Sequence, residues 1–121
     1  MDNLPSGQKI LVVEDEMLIL TMIESMLNDL GCTSVTTVTK NEQAIDAIGH
    51  QMFDIAMLDM NLNGNSSFDV ADALAEKGIP FVYSTGNNIL DERDGFSDRP
   101  ILKKPFSEED LAKTLASLMP H

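Results

Sequence analysis

Between Lys9 and Val13 the residues Ile10, Leu11, Val12 and Val13 form an unbroken apolar run. That is the pattern of a short strand covered on both faces. From Glu16 to Leu30 the period changes. Ile19, Met22, Ile23, Met26, Leu27 and Leu30 recur at helical spacing, and Gly31 supplies the stop. Val35 to Val38, rich in valine and threonine, predicts a second and weaker strand. Thr39 and Glu42 stand at capping-box spacing ahead of a helix carrying Ala44, Ile45 and Ile48. Phe53 to Leu58 predicts a third buried strand, and Asn61 to Ser67 the turn after it. A helix over Phe68 to Lys77 ends at Gly78, and Pro80 leads into a strand over Phe81 to Ser84. Ile101 and Leu102 mark a fifth strand, and Ser107 with Asp110 caps a last helix bearing Leu111, Leu115 and Leu118. The stretch from Asn87 to Arg99 is polar and acidic without an apolar stripe, which predicts a fourth helix that is short or mobile.

Strands alternating with helices imply βαβ units and a parallel sheet. Right-handed crossovers then place helices on both faces. The predicted fold class is α/β: one doubly wound, five-stranded parallel sheet in the flavodoxin-like order 2-1-3-4-5. The domain covers 8–119, between tails at 1–7 and 120–121. A chain of 121 residues is long enough to hold such a core without disulfides or a structural metal.

Charge narrows the partners. Twenty acidic residues against eight basic ones give a net charge of −12, which disfavours nucleic acid and anionic membrane surfaces. Cys32 is the single cysteine, so no internal disulfide forms, as suits a reducing cytoplasm. No apolar run approaches membrane-spanning length, and Met1 to Gly7 has no secretory pattern. A cytoplasmic location is the expectation. His50 and His121 stand apart from other metal ligands, and the methionines after Met1 read as core filler.

The chemistry lies at the strand ends. In a doubly wound sheet, ligands bind beyond the carboxyl ends of the strands, where strand order reverses. Here that point falls between the first strand, ending in Glu14-Asp15, and the third, ending in Asp59. Three carboxylates on one crevice repel one another unless something neutralises them. A hard divalent cation such as Mg2+, with its preference for oxygen ligands, is the natural neutraliser. The fourth strand ends in Ser84-Thr85-Gly86 and the fifth in Lys103-Lys104-Pro105, offering a hydroxyl and an ammonium group. Acids, cation, hydroxyl and lysine together suit a phosphoryl group, with the central aspartate as covalent nucleophile. Ser84 competes with Thr85, and Lys103 with Lys104; the adjoining Gly86 and Pro105 favour Thr85 and Lys104.

Glu14-Asp15, Asp59 with Gly64 five residues on, Thr85-Gly86 and Lys104-Pro105, in this order, resemble the receiver domain of bacterial two-component response regulators. The resemblance spans nearly the whole chain. It implies that Asp59 is the phosphoacceptor, that Asp15 ligates Mg2+ directly and Glu14 through water, and that Asn61 lends its backbone carbonyl to the metal. It further implies that Thr85 binds the phosphoryl group as part of a switch, that Lys104 pairs with it, and that the Lys104-Pro105 bond is cis. Asn61 and Asn87 occupy positions that tune the lifetime of the acyl phosphate. The implied partners are a sensor histidine kinase, a histidine phosphotransfer protein or a downstream protein target. With no output domain following, the chain looks like a single-domain response regulator that assists its own phosphorylation and dephosphorylation and is otherwise no enzyme.

Four features depart from the commoner pattern. Glu14 replaces an aspartate, Asn63 a proline, and Ile101 the aromatic switch residue, while the span from Thr85 to Lys104 is a few residues short. Pro80-Phe81-Val82-Tyr83-Ser84-Thr85-Gly86 resembles the Pro-Phe-x-Phe-Ala-Thr-Gly signature of an atypical alphaproteobacterial subgroup, whose kinases commonly belong to a variant class; Tyr83, Ser84 and Asn87 depart from its consensus. Two other functions compete: a pseudo-receiver that binds proteins constitutively, and a flavodoxin-like small phosphatase. Against the latter, Glu14-Asp15-Glu16 after the first strand would repel phosphate, and Asn61 cannot serve as a second acid.

Overall fold

The computed structural model describes residues 8–32, 34–59, 61–62, 65–85, 101–103 and 106–118. In chain order these form β1 (Lys9–Val13), α1 (Met17–Asp29), β2 (Ser34–Val38), α2 (Asn41–His50), β3 (Ile55–Asp59), β4 (Asn61–Leu62), β5 (Asn65–Ser66), α3 (Phe68–Glu76), β6 (Phe81–Thr85), β7 (Ile101–Lys103) and α4 (Glu108–Leu118). The five longer strands make one parallel sheet in the order β2-β1-β3-β6-β7, and β4 and β5 pair as a separate antiparallel hairpin. The stretch predicted as a short or mobile helix, from Asn87 to Arg99, lies outside the described residues.

Residue alternation across the sheet divides the core in two. Ile10, Val12, Ile55, Met57, Val82 and Leu102 face α1 and α4, packing on Leu20, Ile23, Leu27, Leu111 and Leu115. The intervening Leu11, Val13, Ala56, Leu58, Phe81 and Tyr83 face α2 and α3, meeting Ala44, Ile48, Val70 and Leu74. A strand covered on both sides needs apolar residues at every position. β3 is buried from end to end, and β1 beyond Lys9. β2 is an edge strand with only half-buried residues after its exposed Ser34, which is why its sequence pattern is weaker.

The helix ends follow from local chemistry. Gly31 (φ 93°) and Gly78 (φ 71°) adopt the left-handed conformation that glycine accepts without strain. After α1, Gly31 N–H donates to Asn28 O and Cys32 N–H to Leu27 O. After α3, Gly78 N–H donates to Ala75 O and Ile79 N–H to Leu74 O. Both are Schellman closures, each with an apolar residue returning to the core. At the start of α4, Ser107 Oγ accepts from Asp110 N–H at 3.0 Å and Asp110 Oδ2 accepts from Ser107 N–H at 3.4 Å. The cap of α2 differs from expectation. Lys40 is the extended N-cap residue, so Gln43 rather than Glu42 sits at the third helical position. Gln43 Oε1 accepts from Thr39 N–H at 3.0 Å and from the Thr39 hydroxyl at 3.2 Å.

Candidate functional site

Strand order reverses beside β1: the chain passes from β1 out to β2 and returns on β1's other side as β3. β1 and β3 are paired through Val13↔Leu58, so the next residues along, Glu14 and Asp59, end the two strands side by side. Parallel strands emerge together at one edge of a sheet, and the crevice between diverging connections opens there. Glu14 is wholly buried and Asp59 is 7% exposed. Asp15, the next residue, is half-buried. One carboxylate oxygen from each of Glu14, Asp15 and Asp59 lies within 4.8 Å of the others.

The backbone fixes this corner. Glu14 N–H donates to Val38 O at 3.1 Å, extending the pairing toward β2 past the end of β1. Its Oε2 accepts from Glu16 N–H at 3.1 Å, which holds the side chain against the first turn of α1. On the other side of Asp59, the register pairs it with Ser84, itself 2% exposed. Thr85 is paired with Lys103, and Ile101 with Tyr83. Asn61 opens β4 directly after the site. Lys104, Pro105, Asn87, Asn63 and Gly64 lie outside the described residues.

Burying carboxylates together is costly unless they are paired or neutralised. The donor set, all carboxylate oxygen, suits a hard divalent cation. Oxygens about 2.1 Å from a magnesium ion are at most about 4.2 Å apart across an octahedron, close to the spread of these three carboxylate oxygens, which lie within 4.8 Å of one another. Asp59, seated at the centre of the sheet edge, also has the oxygen nucleophile needed to accept a phosphoryl group. Sequence reasoning brought these three acids to one place. It preferred Thr85 to Ser84 on the adjoining Gly86; the pairing of Asp59 with Ser84 is a matter of register, which local pattern does not encode.

A family profile described as response regulator receiver domain matches residues 10–116. The chain belongs to that family, the receiver domains of two-component signalling. It is similar to the solution structure of SdrG from Sphingomonas melonis Fr1, with 45% identity and a TM-score of 0.81 over 92% of this chain and 95% of that one. It is also similar to the crystal structure of the receiver domain of sensor histidine kinase PA1611 from Pseudomonas aeruginosa PAO1, a structure with magnesium coordinated in its active-site cleft. That match has 28% identity and a TM-score of 0.81 over 93% and 97% of the two chains. Among curated proteins, the transcriptional regulatory protein QseB of Escherichia coli O157:H7 is 33% identical across 92% of this chain and 52% of its own length. The chain spans between 20% and 52% of the length of the curated relatives SKN7, TcrA and QseB. Among the described residues, no helix is long and apolar enough to cross a membrane.

Proposed function

We propose that this chain is a phosphorylation-switched receiver that takes a phosphoryl group from a sensor histidine kinase onto Asp59. The observation that carries the reading is the grouping of Glu14, Asp15 and Asp59 within 4.8 Å at the point of strand reversal. In the transfer, an Asp59 carboxylate oxygen forms the new bond to phosphorus as the kinase's N–P bond breaks. The leaving imidazole nitrogen keeps the bonding pair and takes up a proton. Mg2+, when bound, offsets charge on the phosphoryl oxygens. Asp15 would hold it directly, Glu14 through water and Asn61 through its backbone carbonyl. Thr85 would receive a phosphoryl oxygen, Lys104 would pair with the group, and Asn61 and Asn87 would tune its lifetime. Ile101 stands at the switch position without an aromatic ring, so the response passes through the connection that follows Thr85. The change in charge at Asp59 shifts the population between two partner-binding states.

The signature-like stretch Pro80 to Gly86 supports membership of the atypical subgroup, with a variant-class kinase as partner. The 45% identity to SdrG makes that protein's relatives the first place to seek the kinase. A histidine phosphotransfer protein or a downstream protein would be the further partner, in the cytoplasm.

Intact-mass measurement after incubation with phosphoramidate and Mg2+ tests the reading. One phosphoryl adduct is expected on the wild type and none on Asp59→Asn. An equal adduct on the variant refutes Asp59 as acceptor. A wild type that takes no phosphoryl group from any donor favours the pseudo-receiver instead.

A further inference from the structure

We infer that Ser84 is a positioning residue for Asp59: a second hydroxyl of the site, acting on the carboxyl group from the side opposite Glu14. The inference rests on the reading of Asp59 as phosphoacceptor and adds a residue to it.

Asp59 and Ser84 are direct register partners in the parallel pair β3–β6. Neighbouring strands are about 4.8 Å apart, and paired residues send their side chains to the same face. That face is identified two residues back, where the paired Met57 and Val82 both belong to the core under α1 and α4. Asp59 therefore lies in a row between Glu14 on β1's extension and Ser84 on β6.

Ser84 is 2% exposed, between its register partners Asp59 and Leu102. A buried hydroxyl seeks a partner, and its side chain reaches three rotamers about one bond. The carboxyl group of its register partner is within that reach. A donor on this side, set against the acids on the other, would bias the Asp59 carboxyl toward one orientation, with one oxygen toward the metal and the other toward the incoming phosphorus. Glu14 cannot do this, being an acceptor when ionised.

Three variants decide it: S84A removes the hydroxyl, S84C keeps the shape with a weak donor, and S84T keeps the hydroxyl. Each is tested for the rate of adduct formation with phosphoramidate, for half-saturation by Mg2+ and for thermal melting, beside Asp59→Asn. The expected result is a rate about tenfold lower in S84A and S84C, the size of one lost hydrogen bond to a charged group. Mg2+ half-saturation should stay within about twofold and S84T should retain most of the rate, since the metal ligands and the hydroxyl respectively persist. Wild-type rates in S84A or S84C would overturn the inference. So would equal slowing in all three variants, which would mean packing alone. Failure of the Asp59 reading looks different: the adduct would then be missing from the wild type, or would form equally on Asp59→Asn.

Discussion

Glu14 and Asp59 end adjacent strands side by side, both nearly sealed from solvent, with a carboxylate oxygen of each within 4.8 Å of the other. Two buried like charges oppose folding, and the surrounding sheet, apolar from Ile10 to Val13 and from Ile55 to Leu58, supplies the stability that keeps them there. The grouped carboxylate oxygens of Glu14, Asp15 and Asp59 form a donor set that suits a hard divalent cation.

Removing one of the charges should therefore stabilise the metal-free protein. Asp59→Asn should raise the melting temperature by several degrees in the presence of EDTA, from a relief on the order of 1–3 kcal/mol. Adding Mg2+ should raise the wild type toward the variant, because a ligand that binds only the folded state stabilises it by mass action. Thermal melts with and without the metal check both halves. A variant less stable than the wild type in EDTA contradicts the account.

The two neighbouring acids should respond differently. Asp15 is half-buried, whereas Glu14 is buried and already accepts a hydrogen bond from Glu16 N–H. Asp15→Asn should lose most of the Mg2+-dependent gain in melting temperature, since it removes an anionic ligand from the site. Glu14→Gln should lose less, and should gain stability without metal. Titrating Mg2+ against melting temperature for both variants separates them.

Much of this was legible in the sequence, for identifiable reasons. β1 and β3 announced themselves because strands covered on both faces carry apolar residues without interruption. Gly31 and Gly78 marked helix ends because few other residues take a positive φ. What failed was non-local or too short. The hairpin β4–β5 has two residues a strand, too few for any period, and was read as a turn. The α2 cap fell to Gln43 because an N-cap depends on the backbone of Lys40, which spacing does not reveal. The methionines divided: Met57 is core, but Met17, Met22 and Met52 are exposed, so filling the core explains only part of them. Glu14, Asp15 and Asp59 were found because strand ends and carboxylates are both visible in sequence; Ser84 needed the register.

Cys32 lies in the Schellman closure of α1, fully buried against the core of α1 and α4. Burial pushes its thiol above the ordinary cysteine value. Since the thiolate is the reactive species, modification by Ellman's reagent should be slow in the native protein at pH 8 and fast in denaturant. Rapid native reaction would mean that this end of α1 opens readily.

The last prediction concerns the carboxyl pair Glu108 and Asp29. Glu108, the first residue of α4, has its pKa raised above the ordinary 4.5, chiefly by desolvation and further by a hydrogen bond and like-charge repulsion from Asp29 at the end of α1. A carboxyl group with a raised folded-state pKa contributes stability while protonated. That contribution is complete below the ordinary value and is lost as pH rises through the folded one. At neutral pH, then, the Glu108–Asp29 contact opposes the packing of α4 on α1, whose shared core includes Leu27, Leu111 and Leu115. Glu108→Gln removes the charge while keeping the side chain's length and a hydrogen-bond donor for Asp29. The variant should melt higher than the wild type at pH 7. The difference should shrink as pH falls toward 4.5 and vanish below it, where both side chains are neutral. Because Glu108 is only half-buried, salt should also reduce the difference. Melting curves across pH, at low and high salt, test this; a constant offset at every pH would point to helix propensity instead of charge.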